Sequence, residues 1–555
     1  MSVRFDAAGV RSVLADLEGP CYVVTAEGRT GVCDERPGRG ARVVAMAAPV
    51  SVRHLGAPAF LDRHGARFPY MAGSMAGGIS SVELVSAMAR DGYLASFGAA
   101  GLSDDRVDEA LGRLHRDLAG LPWASNLIHN PADPAAERRC VDLYLRHRVP
   151  CVEVSAFLQP TIDLVRYRAT GVRRDPDGDV RTAHRVIAKV SQAATAAFFL
   201  RPAPSELLAQ LVRDGDLTPD QAELAGRVPL ADDITVEADS AGHTDRRPLV
   251  TQLPLLLALR DRERRDGDPG GRVAIGAAGG IGTPQAAFAA FSLGAEYLVT
   301  GSVNQSCVEA ATSWRVKEML ASADIADCAM APAADMFELG ADVQVLRRGT
   351  LFAGRAAWLY RLYRAHDGLD DLSPPDRLRL ERQVLGRPID EVWSEVVTYL
   401  REHRPEQAEH AARDPKVHMA LLFRWYLGLS SRWATAGEPS RAGDYQIWCG
   451  PAMGAFNAWA HGSPWQDPRN RCAPALAKAF LDGAAYHARL AQLRFSGVRL
   501  PTWCSTYEPP GATPHPAQSA SPLPRLPSPV ATKPCGQAMV PHPSPAEEVR
   551  SSWSK

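Results

Sequence analysis

The sequence predicts an α/β protein built on a (βα)8 barrel, with a small β-rich leader before it and a helical cap after it. Three observations carry that prediction. From about residue 55 to 305, short apolar runs alternate with amphipathic helical segments, the pattern of βαβ units and parallel strands. Two glycine turns stand one strand–helix unit apart at the end of this region, where barrels of this kind hold phosphate. Beyond it, strand-like runs give way to amphipathic helices such as EVWSEVVTYLREH and HMALLFRWYLGLSSRW.

Residues 1–50 carry short β-like runs, CYVVTAEGR and ARVVAMAAP, and read as a leader packed on something larger. The barrel is expected over 51–305. Its units begin with ISSVELVSAMARDG and YLASFGAAG and continue through WASNLI, CVEVSA, RVIAKVS and DITVEA. They close with RVAIGAAGG, the helix TPQAAFAAFSLGA and YLVTGSV. A polar helical stretch at 200–230 interrupts the alternation and is expected as an insertion near the barrel mouth. The cap is expected over 306–504. From 505 to 555 the chain turns to Pro, Ser, Ala and Gly, a composition that cannot bury enough apolar surface to order itself. That stretch is expected to be a disordered tail.

Composition narrows the function. The 62 basic and 63 acidic residues cancel, so no global field favours nucleic acid or membrane. No run of about 18 uncharged apolar residues is present, and the first residues, MSVRFDAAGVRSVLADLEG, have no apolar signal core. The ten cysteines lack metal-ligand spacing. A cytoplasmic location is expected.

Chemistry concentrates at strand ends. In VAIGAAGGIGTPQAAFAAFSLGAEYLVTGSVNQ, one strand ends at Gly279-Gly280 and the next at Thr300-Gly301-Ser302. Glycines let backbone N–H groups approach an anion closely, so this pair is expected to bind phosphate; two plain βα turns are the alternative. In ITVEADSAGHTDRRP, a strand and a small-residue turn deliver Gly242 and His243. An imidazole there can donate a proton or steady a developing enolate; otherwise it is a satisfied structural histidine. Met71, Ala72 and Gly73 give a flat isoalloxazine room against the backbone. Asn126 offers an amide to the ring edge, and Lys189 a cation to the ribityl chain, the phosphate or the N1/C2=O region. Taken singly, each of these also reads as packing or a solvated strand end. Trp448 and Trp459 stand at helical spacing and are expected in the core rather than along an acyl channel.

Together, MAGSMAGGISSVELVSAMARDGYLASFGAAGL, EADSAGHTDRRP, GAAGGIGTPQAAFAAFSLGAEYLVTGSVNQ and DYQIWCGPAMGAFNAW resemble the PfaD family of trans-acting enoyl reductases of polyunsaturated-fatty-acid and polyketide synthases. The likeness spans roughly residues 50–500. More distantly, the barrel resembles the FabK-type enoyl reductases and the 2-nitropropane dioxygenases. The resemblance implies FMN in the barrel mouth, NADPH as donor, an α,β-unsaturated thioester on an acyl carrier protein as substrate, and His243 at the family's glycine-preceded histidine. A homodimer stays open. Arg246 and Arg247 are candidates for contacting the carrier arm's phosphate. Two alternatives stand beside this reading: a nitronate-monooxygenase-like flavin oxidase, and a non-catalytic scaffold that docks carrier proteins.

Overall fold

The structure, a computed structural model, describes residues 2–26, 28–38, 40–129, 133–263 and 273–512. Eight parallel strands close a barrel: β1 Tyr70–Ala72, β2 Leu94–Phe97, β3 Ala124–Ile128, β4 Cys151–Ser155, β5 Arg185–Val190, β6 Asp233–Glu237, β7 Ala274–Ala278 and β8 Leu298–Thr300. Each pairs with the next, and β8 pairs with β1 through Leu298–Tyr70, Val299–Met71 and Thr300–Ala72. The expected (βα)8 barrel is therefore the observed one.

Strand periodicity of two sorts the side chains. Met71, Leu94, Ala124, Cys151, Ile187, Ala274, Ala278 and Val299 face inward and form one buried cluster, while Tyr70, Ala95, Val152, Ala188, Ile234 and Ala277 face the helix layer. The lower end is plugged. The helix Pro58–His64 stacks Phe60 on Tyr297, rings 4.2 Å apart, and its His64 meets Asp233 at 2.6 Å. Tyr297 fills the interior so fully that a Cβ on Gly276 would lie 2.3 Å from its ring. The barrel is thus a packed core below and open to chemistry only above.

The leader forms a three-stranded antiparallel sheet, Arg29–Cys33, Cys21–Ala26, Arg42–Ala47. It shares an apolar cluster with Tyr486, Leu490 and Leu493 on the long helix Ala473–Phe495. Buried Arg489 of that helix donates to the carbonyls of Val13 and Leu14, which the last turn of the helix Ala7–Ala15 leaves open, and to those of Asp16, Leu17 and Gly19 just beyond it.

Three placements differ from expectation. The 200–230 segment forms helices Ser205–Arg213 and Pro219–Ala225 between the helix after β5 and the start of β6. An αβ connection returns the chain to the N-terminal ends of the strands, so it lies opposite the mouth. The cap is not all helix: Cys328–Pro332 and Asp342–Leu346 pair antiparallel, and Gly242–His243 joins them as a third strand. The chain also stays packed past 505: Trp459 donates its indole N–H to the Tyr507 carbonyl at 2.8 Å, and the Tyr507 ring sits tilted against Tyr486, centroids 5.7 Å apart. The rest of the expected tail, beyond Ala512, lies outside the described residues.

Candidate functional site

On four consecutive strands, an inward position in the upper half is polar: Asn126 on β3, Glu153 on β4, Lys189 on β5 and Glu237 on β6. Lys189 Nζ stands 3.2 Å from Glu237 Oε1. Burial alone would drive the Lys189 ammonium toward neutrality, but Glu237 and Glu153 outweigh it and hold its pKa above the ordinary lysine value. Glu153 is buried and accepts from Ser74 N at 2.8 Å, and Asn126 donates its amide to the Glu153 carbonyl at 3.4 Å. Gly73 donates to the Thr300 carbonyl at 2.9 Å. Met71 and Ala72 are wholly buried in the inner and outer layers. What β1 offers to the mouth is therefore backbone at Gly73 and Ser74, not the side chains of Met71 and Ala72.

The two glycine turns sit on adjacent strands. Gly279 and Gly280 both hold positive φ, 87° and 72°. A Cβ on Gly279 would meet Ala238 C at 2.8 Å, whereas around Gly280 and Gly301 nothing lies within 4 Å of that position. Among the described residues, the N–H groups of Gly280, Gly301 and Ser302 are donated to no protein acceptor, a cradle of donors over open space. Thr300 does not join it through its side chain. That hydroxyl is spent on Tyr70 and on the Asn304 amide, 3.0 Å away. Ser302 Oγ accepts from Gly450 N at 3.1 Å, so a cap segment rests on the turn.

Gly242, at φ 75°, opens the short strand that carries His243. The cap grips this loop: Gln344 donates to Asp239 Oδ1 at 2.8 Å and to the Ser240 carbonyl at 2.7 Å. His243 Nε2 lies 3.2 Å from Asp335 Oδ1, also of the cap. The angle is not that of a directed hydrogen bond, which leaves Nε2 without a formal acceptor; the pairing is electrostatic. Burial pulls the imidazole pKa down, yet Asp335 and Glu237 overcome it, and the net shift is upward. Asp335 is in turn held below the usual carboxylate range against its own burial, chiefly by His243.

Of the residues expected from sequence, the structure brings Gly73, Asn126, Lys189, Gly242, His243, Gly279, Gly280, Gly301 and Ser302 to one end of the barrel. Trp448 borders it, 3.9 Å from where a Gly242 Cβ would stand, while Trp459 packs among Phe456, Trp465 and Phe480. Arg246 and Arg247 are exposed beside the loop with no ion-pair partner among the described residues. Sequence reasoning missed Glu153 and Asp335. Glu153 had a signal, an acid at an inward position of the apolar run CVEVS; Asp335 had none, being nearly a hundred residues from its partner. Two surface cavities, of about 340 and 430 Å³, lie elsewhere; the larger borders Arg67 and Asp91, at the lower ends of β1 and β2. Among the described residues no cluster fit to hold a metal ion occurs, and no helix is long and apolar enough to cross a membrane.

The fold and this mouth define a capped (βα)8-barrel protein with two open glycine turns and a histidine–carboxylate pair at its rim. Residues 1–48 match the N-terminal domain of the fatty acid synthase subunit PfaD, and 366–445 match the inserted helical domain of [acyl-carrier-protein] S-malonyltransferase. The enoyl reductase domain of MlnA, from the macrolactin biosynthesis cluster of Bacillus amyloliquefaciens, is 36% identical and superposes with a TM-score of 0.76 over 80% of this chain and 100% of that one. A polyunsaturated fatty acid synthase protein of Thraustochytrium sp. is 44% identical over 87% of this chain and 33% of its own length. The polyketide biosynthesis protein PksE of Bacillus subtilis is 41% identical over 80% of this chain and 58% of its own length. The chain thus spans about a third to somewhat over half of these last two relatives. It belongs to the PfaD family of enoyl-reductase-like proteins.

Proposed function

We propose that this chain is an FMN-dependent enoyl reductase that takes electrons from NADPH and acts in trans on α,β-unsaturated acyl thioesters of acyl carrier proteins. The observation that carries the reading is the match to an enoyl reductase domain along that domain's whole length, joined to a mouth with two open glycine turns and a histidine whose pKa is raised by Asp335. The residues present fit the cofactor. Ser96 Oγ and Ser155 Oγ, at inward positions near the tops of β2 and β4, are buried without a protein partner, and each stranded hydroxyl costs about 1–3 kcal/mol unless a ligand meets it.

In this reading the N–H groups of Gly280, Gly301 and Ser302 would hold the FMN phosphate, and Lys189 would offer its cation to the flavin. When bound, the flavin supplies two-electron transfer between a nicotinamide and a polarised double bond. The protein must then stabilise the negative thioester oxygen and deliver a proton to the α-carbon. His243 holds that proton, and Asp335 raises its hold. Glu153 and Glu237 keep Lys189 cationic. Arg246 and Arg247, exposed and unpaired beside the loop, suit an acidic carrier protein or the phosphate of its arm.

Purified protein is expected to show a flavin spectrum that bleaches with NADPH in the absence of oxygen and recovers when a crotonyl thioester of pantetheine is added. Protein without flavin would support the scaffold reading. Reoxidation by dioxygen alone, with no response to the thioester, would support the oxidase.

A further inference from the structure

Two cysteines that the reaction does not use lie side by side in the cap. Cys328 Sγ and Cys449 Sγ are 3.9 Å apart, 121 residues distant in sequence. Both flank one strand: Cys328 pairs with Leu346, while Ile447 accepts the Leu346 N–H at 2.8 Å and Trp448 bridges Val345. Cys328 is half-buried and Cys449 fully buried. Disulfide formation needs the sulfurs at about 2.05 Å, a closure of roughly 1.9 Å that side-chain rotation and a small shift of the loop at 449 can supply.

We propose that Cys328 and Cys449 form a reversible oxidation site for low-molecular-weight disulfides of the glutathione class. The half-exposed Cys328 thiolate attacks the oxidant, forms a mixed disulfide and expels one thiolate, which takes up a proton. Cys449, its proton lost to solvent or to that leaving thiolate, then attacks Cys328 Sγ and expels the second thiol. Two protein thiols are oxidised by two electrons, and one small disulfide is reduced to two thiols. The order follows from access and charge: the S–H of Cys449 supports a thiolate on Cys328, whose pKa is lowered, while the buried Cys449 thiol is pushed up.

The site is placed to matter. Cys449 directly precedes Gly450, whose N–H donates to Ser302. Two residues on, Ala452 presses on the other glycine turn: a Cβ on Gly282 would lie 2.1 Å from the Ala452 carbonyl oxygen. Drawing Cys449 toward Cys328 pulls on the segment that covers both turns. The linkage itself does not depend on the proposed activity; its effect on flavin does.

The test treats the full-length protein with oxidised glutathione, then blocks free thiols, digests and identifies linked peptides by mass spectrometry. A Cys328–Cys449 cross-link, two hydrogens lighter than the dithiol and reversed by dithiothreitol, is expected ahead of any other pairing. In C328S the link is lost and Cys449 stays a free thiol. In C449S, Cys328 carries glutathione. If wild-type protein accumulates only glutathionylated Cys328, or keeps both thiols free while other cysteines react, the proposal is overturned. Flavin release on oxidation of wild type but not of C328S is the expected consequence. A cross-link without flavin change leaves the site standing and removes its link to the turns.

Discussion

Replacing Gly280 with Val separates the phosphate cradle from ordinary turn geometry, because the structure contains its own control. Gly28, in the leader's first hairpin, has the same φ of 72° and the same empty surroundings within 4 Å. An L-residue in that backbone conformation costs roughly 1–2 kcal/mol, which is about 2–8 °C of Tm for a domain of 150–250 residues. Both G280V and G28V should show that loss and remain folded. They diverge in flavin. Valine keeps the N–H but its methyls fill the space the phosphate would take; a charge-assisted hydrogen bond contributes about 1.5–3 kcal/mol, so displacing the phosphate from even one donor weakens affinity roughly 10- to 150-fold. Flavin fluorescence after gel filtration, with FMN titration into the stripped protein, reads this directly. G280V should emerge largely colourless and G28V fully loaded. Wild-type flavin content in G280V, or equal loss in both variants, refutes the assignment.

His243→Ala should keep FMN and its reduction by NADPH while the reoxidation by enoyl thioester slows by about 10²–10⁴-fold; stopped-flow measurement of the two half-reactions separates them, and unchanged rates would make His243 structural. Asp335→Asn removes the carboxylate that raises the His243 pKa, so the fall of reoxidation rate with rising pH should move to lower pH. The same pair stabilises the fold where both groups are charged. On the acid side that contribution is fully present above the ordinary aspartate value of about 3.9 and is lost as pH falls through the depressed Asp335 pKa; on the basic side it disappears as pH rises through the elevated His243 pKa. The Tm difference between wild type and D335N should therefore be larger near pH 6 than near pH 9. Arg489→Met removes the donor to the carbonyls of Val13, Leu14, Asp16 and Gly19. If two of them stay unsatisfied the cost is about 2–6 kcal/mol, and limited proteolysis should release the leader before the barrel. Truncation after Ala512 should leave flavin content and Tm near wild type, whereas truncation after Cys504 removes the Tyr507 carbonyl that Trp459 engages and should lower Tm.

The barrel was legible because its signals are local. Each strand is a short apolar run, and the glycine turn at 279–280, with positive φ at both residues, declares a backbone need that other residues meet poorly. Lys189 and His243 stood out as polar residues at the ends of apolar runs, and by the same rule Glu153 was legible but unread. The 200–230 helices were recognised as helices and misplaced, because sequence shows that a segment departs from alternation but not to which end of a strand it leads. The cap's small sheet was hidden for another reason. Gly242–His243 is a two-residue strand, too short for periodicity, and its partner Asp342–Leu346 lies a hundred residues on. Thr300 was placed at the right turn, but the pleat turns its side chain outward onto Tyr70 and Asn304; a one-residue change of phase separates a ligand-facing hydroxyl from a structural one.

That hidden sheet changes what counts as the site. With the barrel alone, His243 would sit on a loop held by Ser240 and Thr244, in which Thr244 donates to the Ala238 carbonyl at 3.0 Å, and its imidazole would feel Glu237 against Lys189 with nothing to settle the balance. The cap supplies the decisive charge through Asp335. It fixes the loop through the pairing of Gly242 with Gln344 and of His243 with Val343, and it packs beside the two glycine turns through Gly450 on Ser302 and Ala452 on Gly282. Each contact ties the geometry of the barrel mouth to the seating of the cap. In the proposed reading, moving the cap away from the mouth would take Asp335 with it and lower the histidine's hold on its proton.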